Sequence, residues 1–291
     1  MKPAPFDYTA ATSVEMATAS LAEAGDDAKI IAGGQSLVPL LNFRLLRPSI
    51  LVDINSIESL SFITETATNI RVGALTRHYQ LETSLVIARH LPVLSCAMTH
   101  VAHLAIRNRG TIGGSLAHGD PAAELPMMAL LLDAELHIAS VSSARTIAAR
   151  DFFLGALTVD LGGGEIVTEI VLPKLPARTG WGFAEVARRH GDFALAAVAA
   201  TLTVVADAIV EARIALTGVG RTPLRVAEAE SLLVGQAPTP YLSGQTVEAV
   251  RAAMEPDSDM HASADYRRHL AGILTSRALA AAWRRAKESA A

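Results

Sequence analysis

Two short turns hold most of the chemical potential of this chain: Ala32-Gly33-Gly34-Gln35-Ser36 and Thr111-Ile112-Gly113-Gly114-Ser115. Each sets paired glycines beside hydroxyl or amide side chains, between an apolar, strand-like stretch and a more helical one. Glycine lets backbone approach a ligand closely and lets consecutive N–H groups point the same way. Such N–H groups form a concave seat for a phosphate. A lone Gly-Gly turn is most often only a turn. Two of them, distant in sequence, predict a ligand whose pyrophosphate is gripped from two sides, which means a dinucleotide.

Other candidates are weaker. His100 and His103 have helical spacing, but no neighbouring cysteine or acid completes a metal site, so they read as a structural or surface pair. His118 lies inside the second loop. Arg107-Asn108-Arg109 precedes that loop and reads as a solvated or interface face, with attraction to phosphate as the alternative. Arg188-Arg189 reads equally as a partner-facing patch or a salt-bridged core edge. Gly218-Val219-Gly220-Arg221-Thr222-Pro223 places proline where a Rossmann turn needs its third glycine. No P-loop lysine, metalloprotease helix or nucleophile elbow is present.

These turns need a scaffold. Thr12–Ala24 reads as an amphipathic helix closed by Gly25, Lys29–Ile31 as a buried strand feeding the first turn, and Ser36 as the N-cap of a helix from Leu37 to Phe43. Ile50–Ile54 is a second strand. Asn69–Gly73, Ala134–Ala139 and Glu165–Leu172 are further strands. Thr76–Glu82, Leu91–Val101 and Glu124–Leu132 read as helices, and Leu116–Asp120 as a loop. The Pro- and Gly-containing run Pro173–Gly180 is the best domain boundary. Beyond it, Trp181–Val186, Ala196–Val205 and Ile209–Leu216 predict a small antiparallel sheet. Helices follow near Leu224–Val234, Thr246–Met254 and Ala264–Arg285.

Composition narrows the function. Hydrophobic residues are 51% of the 291 and charged residues 19%, enough to pack a large core and too apolar for disorder. A net charge of −4 argues against a nucleic-acid partner. There is no uninterrupted apolar run long enough for a membrane span and no apolar leader at the N-terminus. The one cysteine, Cys96, reads as a buried structural thiol; it excludes an internal disulfide and fits a cytoplasmic setting. One thiol cannot hold an iron–sulfur cluster, which takes about four ligands.

Ile31-Ala32-Gly33-Gly34-Gln35-Ser36-Leu37-Val38-Pro39 resembles the first flavin-binding turn of the molybdenum-hydroxylase flavoprotein subunits. Thr111-Ile112-Gly113-Gly114-Ser115-Leu116-Ala117-His118-Gly119-Asp120-Pro121-Ala122-Ala123-Glu124 resembles the second. Glu185–Ala194 and Ser263–Arg268 match further on, so the similarity runs over residues 3–285. It is strongest to the medium subunit of enzymes of the xanthine dehydrogenase and aerobic carbon monoxide dehydrogenase type. There one chain binds FAD, a second carries iron–sulfur clusters and a third the molybdenum cofactor.

The resemblance implies an α+β fold: a PCMH-type FAD-binding domain at 1–177, in two α/β subdomains of about 1–55 and 56–177, and a C-terminal α+β flavoprotein domain at 178–291. It also implies the cofactor-binding set. Ile31, Ala32, Gly33, Gly34, Gln35, Ser36 and Leu37 would surround the pyrophosphate, and Thr111, Gly113, Gly114 and Ser115 would close on the phosphate and ribityl side. His118, Asp120 and Ile166 fall within the family's binding positions, and Glu124 would accept hydrogen bonds from FAD hydroxyls. Phe193 would stack beside the isoalloxazine, worth about 0.5–1.5 kcal/mol. Ser115 stands where many relatives have Asn, Phe193 where some have Tyr, and Gln35 where His or Gly is common.

The implied role is electron relay. Electrons come from iron–sulfur clusters on a small subunit, which draws them from a molybdenum-cofactor large subunit, and they leave to an external acceptor. Such a role needs no general acid or base, because the cofactor carries the chemistry. Two other readings fit the same turns: a stand-alone FAD reductase of the enolpyruvyl-UDP-sugar type, which would need a proton donor not found here, and a non-catalytic nucleotide-binding assembly protein.

Overall fold

The structure is a computed structural model that describes residues 2–237 and 240–288, with the side chains of 240–243 left aside. Its first unit is a three-stranded parallel sheet. Asp7–Ala10 and Ala28–Ile31 flank Ile50–Asp53, in register Tyr8↔Leu51 and Lys29↔Leu51. The helix Val14–Ala24 crosses over between the first two strands and buries Ala17, Thr18 and Leu21 against the sheet. The Ser13 hydroxyl caps its start, accepting from Met16 N at 3.2 Å. Parallel strands place their carboxyl ends together, and the first Gly-Gly turn leaves from that edge.

The second unit is a five-stranded antiparallel sheet ordered Ile63–Glu65, Asn69–Gly73, Ile166–Pro173, Glu135–Ala139, Ala144–Ala148. His78–Thr83, Pro92–Met98 and Glu124–Leu131 bury Leu81, Leu94, Met98, Met127 and Leu131 in its core. All of Glu124–Leu131 is buried, because the C-terminal sheet covers its other side.

That last sheet comprises Thr179–Ala187, Ala194–Val205, Ala208–Thr217 and Leu224–Arg225. The helix Ala264–Glu288 lies on it at very close range. A Cβ on Gly182 would meet the Ala278 carbonyl carbon at 2.6 Å, and one on Gly180 would meet Ala286 Cα at 2.9 Å. Its alanines (Ala278, Ala282 and Ala286) are therefore a packing requirement and not only good helix formers. The sheet is pinned to the first half of the chain where the second turn's loop ends. Thr217 Oγ1 donates to Pro121 O at 2.7 Å, and Gly218 N to the same carbonyl at 2.8 Å.

Three expected elements differ. Leu116–Asp120 is not a loop: Ile112–His118 is a helix, closed by Gly119 at φ 62. Its glycines lower helix propensity, yet Gly113 has to be glycine there, since a Cβ would lie 2.6 Å from Ala74 Cβ. Ser36 does not cap its helix; it sits in the helical region at φ −95 and makes no capping bond. The expected helix near Leu224–Val234 begins as the edge strand Leu224–Arg225 and turns helical over Ala227–Leu233. Cys96 is half-buried, and burial raises its thiol pKa.

Candidate functional site

The first turn surrounds a cavity of about 410 Å³. Ile31, Ala32, Gly33, Gly34 and Gln35 line it with Val38, Pro39, Asp53, Asn55 and Arg109. Gly34 takes φ +71, the left-handed turn that aims successive N–H groups inward. Among the described residues, the backbone N–H groups of Gly33, Gly34, Gln35, Ser36 and Leu37 donate to no protein acceptor. Gln35 instead folds back, Nε2 donating to Gly33 O at 2.9 Å. Five free donors in a row, those of Gly33, Gly34 and Gln35 in the cavity lining, suit a group rich in acceptor oxygens and lacking protons of its own, such as a diphosphate.

The second turn behaves differently, and the expectation of two equal N–H seats does not hold. Ile112 N donates to Thr76 O at 3.1 Å, Gly113 N to Ala74 O at 2.9 Å, and Ser115 N to Thr111 O at 3.0 Å. Gly114 N is taken by the Thr111 hydroxyl at 3.1 Å. These groups fasten the helix Ile112–His118 to the exit of the strand Asn69–Gly73. What this turn offers is a close backbone surface at exposed Gly114 and a Ser115 hydroxyl without a partner among the described residues. Thr111 and Gly113 are buried.

The two turns nevertheless meet. A Cβ on Gly33 would lie 2.8 Å from both the Arg109 carbonyl carbon and Gly110 Cα, so the first turn touches the lead-in of the second directly. A polar bridge spans the same contact. Asn55 Nδ2 donates to Ala32 O at 2.7 Å, and Arg77 Nη2 donates to Asn55 Oδ1 at 2.7 Å. Arg77 Nη1 donates to the Arg109 carbonyl. Asp53 fixes Asn55 by accepting from its N at 2.8 Å and its Nδ2 at 2.6 Å, while Tyr8 OH donates to the other Asp53 oxygen at 2.5 Å.

Sequence reasoning missed Asp53, Asn55, Arg77, Val38 and Pro39. The signal for two of them was present: Asp53 and Asn55 follow the carboxyl end of a parallel strand, where α/β sheets hold ligands.

The other expected residues do not line this cavity. His118 ends its helix half-buried, and burial pulls its pKa down against the pull of Asp120. Asp120 Oδ1 accepts from Ala122 N at 2.9 Å, shaping the loop into Glu124. Glu124 is 4% exposed, and its carboxyl is pushed up to about 8, first by burial and then by the charge of Glu185. Glu185 itself has a buried oxygen, Oε2, with no partner.

Ile166 is 2% exposed, its side chain packed in the core of the first unit with Leu75 and Ile54. Phe193 is 61% exposed, just ahead of the strand Ala194–Val205, with its ring open to a ligand. Of the alternatives, Arg107 is structural, with Nε donating to Glu82 at 2.8 Å, and His100 stacks on Phe183 at 4.7 Å. Arg188 Nη1 lies 3.0 Å from His261 Nδ1.

Comparison with known proteins identifies the family. The family described as the FAD binding domain in molybdopterin dehydrogenase matches residues 4–175, and the CO dehydrogenase flavoprotein C-terminal domain matches 181–282. The 6-hydroxypseudooxynicotine dehydrogenase complex subunit alpha of Paenarthrobacter nicotinovorans is 44% identical, over 99% of this chain and 97% of that one. A chain of carbon monoxide dehydrogenase from Hydrogenophaga pseudoflava superposes with a TM-score of 0.96 at 38% identity, covering 98% and 99% of the two chains. One of quinoline 2-oxidoreductase from Pseudomonas putida 86 gives 0.93 at 40% identity, covering 99% of each. With both domains matched over nearly the whole chain, the chain belongs to the FAD-binding medium subunits of the molybdenum hydroxylases, the oxidoreductase family of xanthine dehydrogenase and aerobic carbon monoxide dehydrogenase.

Proposed function

We propose that this chain is the electron-relay subunit of a cytoplasmic three-chain dehydrogenase. It would receive electrons from the iron–sulfur clusters of a small subunit, fed by a molybdenum-cofactor large subunit, and pass them to an external acceptor. The observation that carries this reading is the row of five N–H groups at residues 33–37 that have no acceptor among the described residues, three of them in the lining of the 410 Å³ cavity. FAD supplies the redox chemistry when bound, exchanging electrons singly or in pairs.

The protein's own part is to seat, orient and shield. Residues 31–37 would hold the diphosphate through backbone donors, with the Ser36 hydroxyl, unused as a cap, as one more. Gly114 and Ser115 would close over it from the other side. Glu124, uncharged at neutral pH, can donate as well as accept a hydrogen bond, which suits a sugar hydroxyl. Phe193 would cover the flavin ring, and His118 and Asp120 would form the wall between them. The single cysteine supports a partner as the home of the clusters.

The test is purification of the tagged chain from its own host. The expected result is stoichiometric FAD together with one small cysteine-rich chain and one large molybdenum-containing chain. A flavin-loaded chain that purifies alone and reduces a substrate by itself refutes the relay role.

A further inference from the structure

Arg109 belongs to the cavity lining, is exposed, and its side chain has no established task. The arginines around it are committed. Arg107 pairs with Glu82 at 2.8 Å, Arg71 Nη2 donates to Glu169 at 2.7 Å, and Arg77 is shared between Asn55 and the Arg109 carbonyl. Among the described residues, the Arg109 guanidinium has neither a hydrogen bond nor an ion pair.

The one acid in the cavity wall, Asp53, does not serve it. Both Asp53 oxygens are occupied, by the Tyr8 hydroxyl at 2.5 Å and by Asn55 at 2.6 and 2.8 Å. Arg77 is held below its ordinary value first by burial and then by the like charge of Arg109, so the two guanidiniums lie close enough to feel each other. Arg109 and the free N–H donors of Gly33, Gly34 and Gln35 thus line one space, whose one acid is already engaged. A guanidinium meets two phosphate oxygens with a planar fork, which a backbone cradle cannot do by itself.

We propose that Arg109 supplies the charge that neutralises the diphosphate of the bound dinucleotide, and that the Asn55–Arg77 bridge positions it by holding the carbonyls of Ala32 and Arg109. This rests on the first turn being the diphosphate seat. It gives the segment before the second turn a binding role that the engaged N–H groups of that turn do not fill. Arg109 is the ligand-touching group; Asn55 and Arg77 act through it and through Ala32.

The test uses the intact, flavin-depleted complex, with FAD and ADP as probes; ADP brings a diphosphate without a flavin. Arg109→Gln should weaken FAD and ADP alike by tenfold or more and flatten the salt dependence of both. Arg109→Lys should restore most of the affinity, since it keeps the charge. Arg77→Lys should weaken both probes as well, because a single ammonium cannot span Asn55 and the Arg109 carbonyl together.

Wild-type binding of FAD with no competition from ADP removes the diphosphate seat itself. Full affinity of Arg109→Gln for both probes, with ADP still competing in the wild type, overturns only the role of Arg109. A loss in Arg109→Gln that Arg109→Lys does not recover, accompanied by a lowered thermal midpoint, assigns Arg109 to the fold and also overturns the proposal.

Discussion

Replacing Gly33 by alanine should separate the two turns and release the cofactor. The new Cβ would stand 2.8 Å from the Arg109 carbonyl carbon and from Gly110 Cα, where ordinary contact begins at 3.4 Å. The neighbours are backbone and cannot swing aside, so the turns must part by at least about 0.6 Å, an overpacking cost of about 1–3 kcal/mol. The same movement stretches the Asn55 bond to Ala32 and the Arg77 bond to Arg109, each worth about 0.5–1.5 kcal/mol net. Together these place the destabilisation at about 2–6 kcal/mol. For a chain of this size, that corresponds to a fall in thermal midpoint of roughly 4–24 °C. The measurement is FAD released per chain on denaturing the purified complex, with the thermal midpoint of the same sample. Full flavin content and an unchanged midpoint in Gly33→Ala would refute the claim that the turns converge at this residue.

Gly114→Val should give the opposite profile. A Cβ there meets only Thr111 Oγ1, at 2.8 Å, so the fold loses at most one helix cap, about 1 kcal/mol, while flavin content falls sharply; a fully yellow variant contradicts the second turn's part in the seat. Glu124→Gln should alter the pH dependence of stability. The folded carboxyl near 8 lies above its ordinary value, so its stability is full below about pH 4.5 and drains away as pH rises through 8, by a few kcal/mol. The glutamine variant lacks this slope in denaturant titrations from pH 5 to 9, and equal slopes in the two proteins refute it. His78 works at the other end. Burial pulls it down to about 4, so the folded state is penalised as pH falls from about 6.5 to 4, by about 3 kcal/mol. A Cβ on Gly110 would sit 2.8 Å from the His78 ring, so its protonation should loosen the lead-in of the second turn. FAD release on acidification should therefore shift to lower pH in His78→Leu, and an unshifted release curve counts against it.

The first turn was legible because its chemistry is local. Gly33, Gly34 and the strand before them create the cradle within one short segment, and Gly34 adopts the left-handed backbone that glycine favours. The second turn was legible as a position and not as a device. Whether its N–H groups are free depends on the carbonyls of Ala74 and Thr76, which reach it from a strand exit about forty residues earlier. The same limit hid Asn55 and Arg77, whose meeting is a product of topology. It also explains the helix at Ile112–His118: glycine content argued for a loop, and tertiary packing on Ala74 decided otherwise. Glu124 was visible as an acid, whereas its uncharged state comes first from burial in the folded core and then from the charge of Glu185, sixty-one residues on in the C-terminal sheet.

The asymmetry between the turns has a physical logic. A diphosphate held by two mobile loops would lose much of its binding energy to ordering both of them. Here the second loop is fixed in advance by four internal hydrogen bonds from residues 112–115, and it serves as a fixed wall. The first turn keeps its donors unspent and is held against that wall through Gly33, Asn55 and Arg77. Donors left free in the apoprotein cost little while water reaches them, and they gain a charged acceptor when the ligand binds. The arrangement therefore concentrates sensitivity in the seam between the turns. Substitutions there should alter flavin affinity and fold stability together, while changes at exposed Gly114 or Phe193 should alter flavin affinity far more than stability.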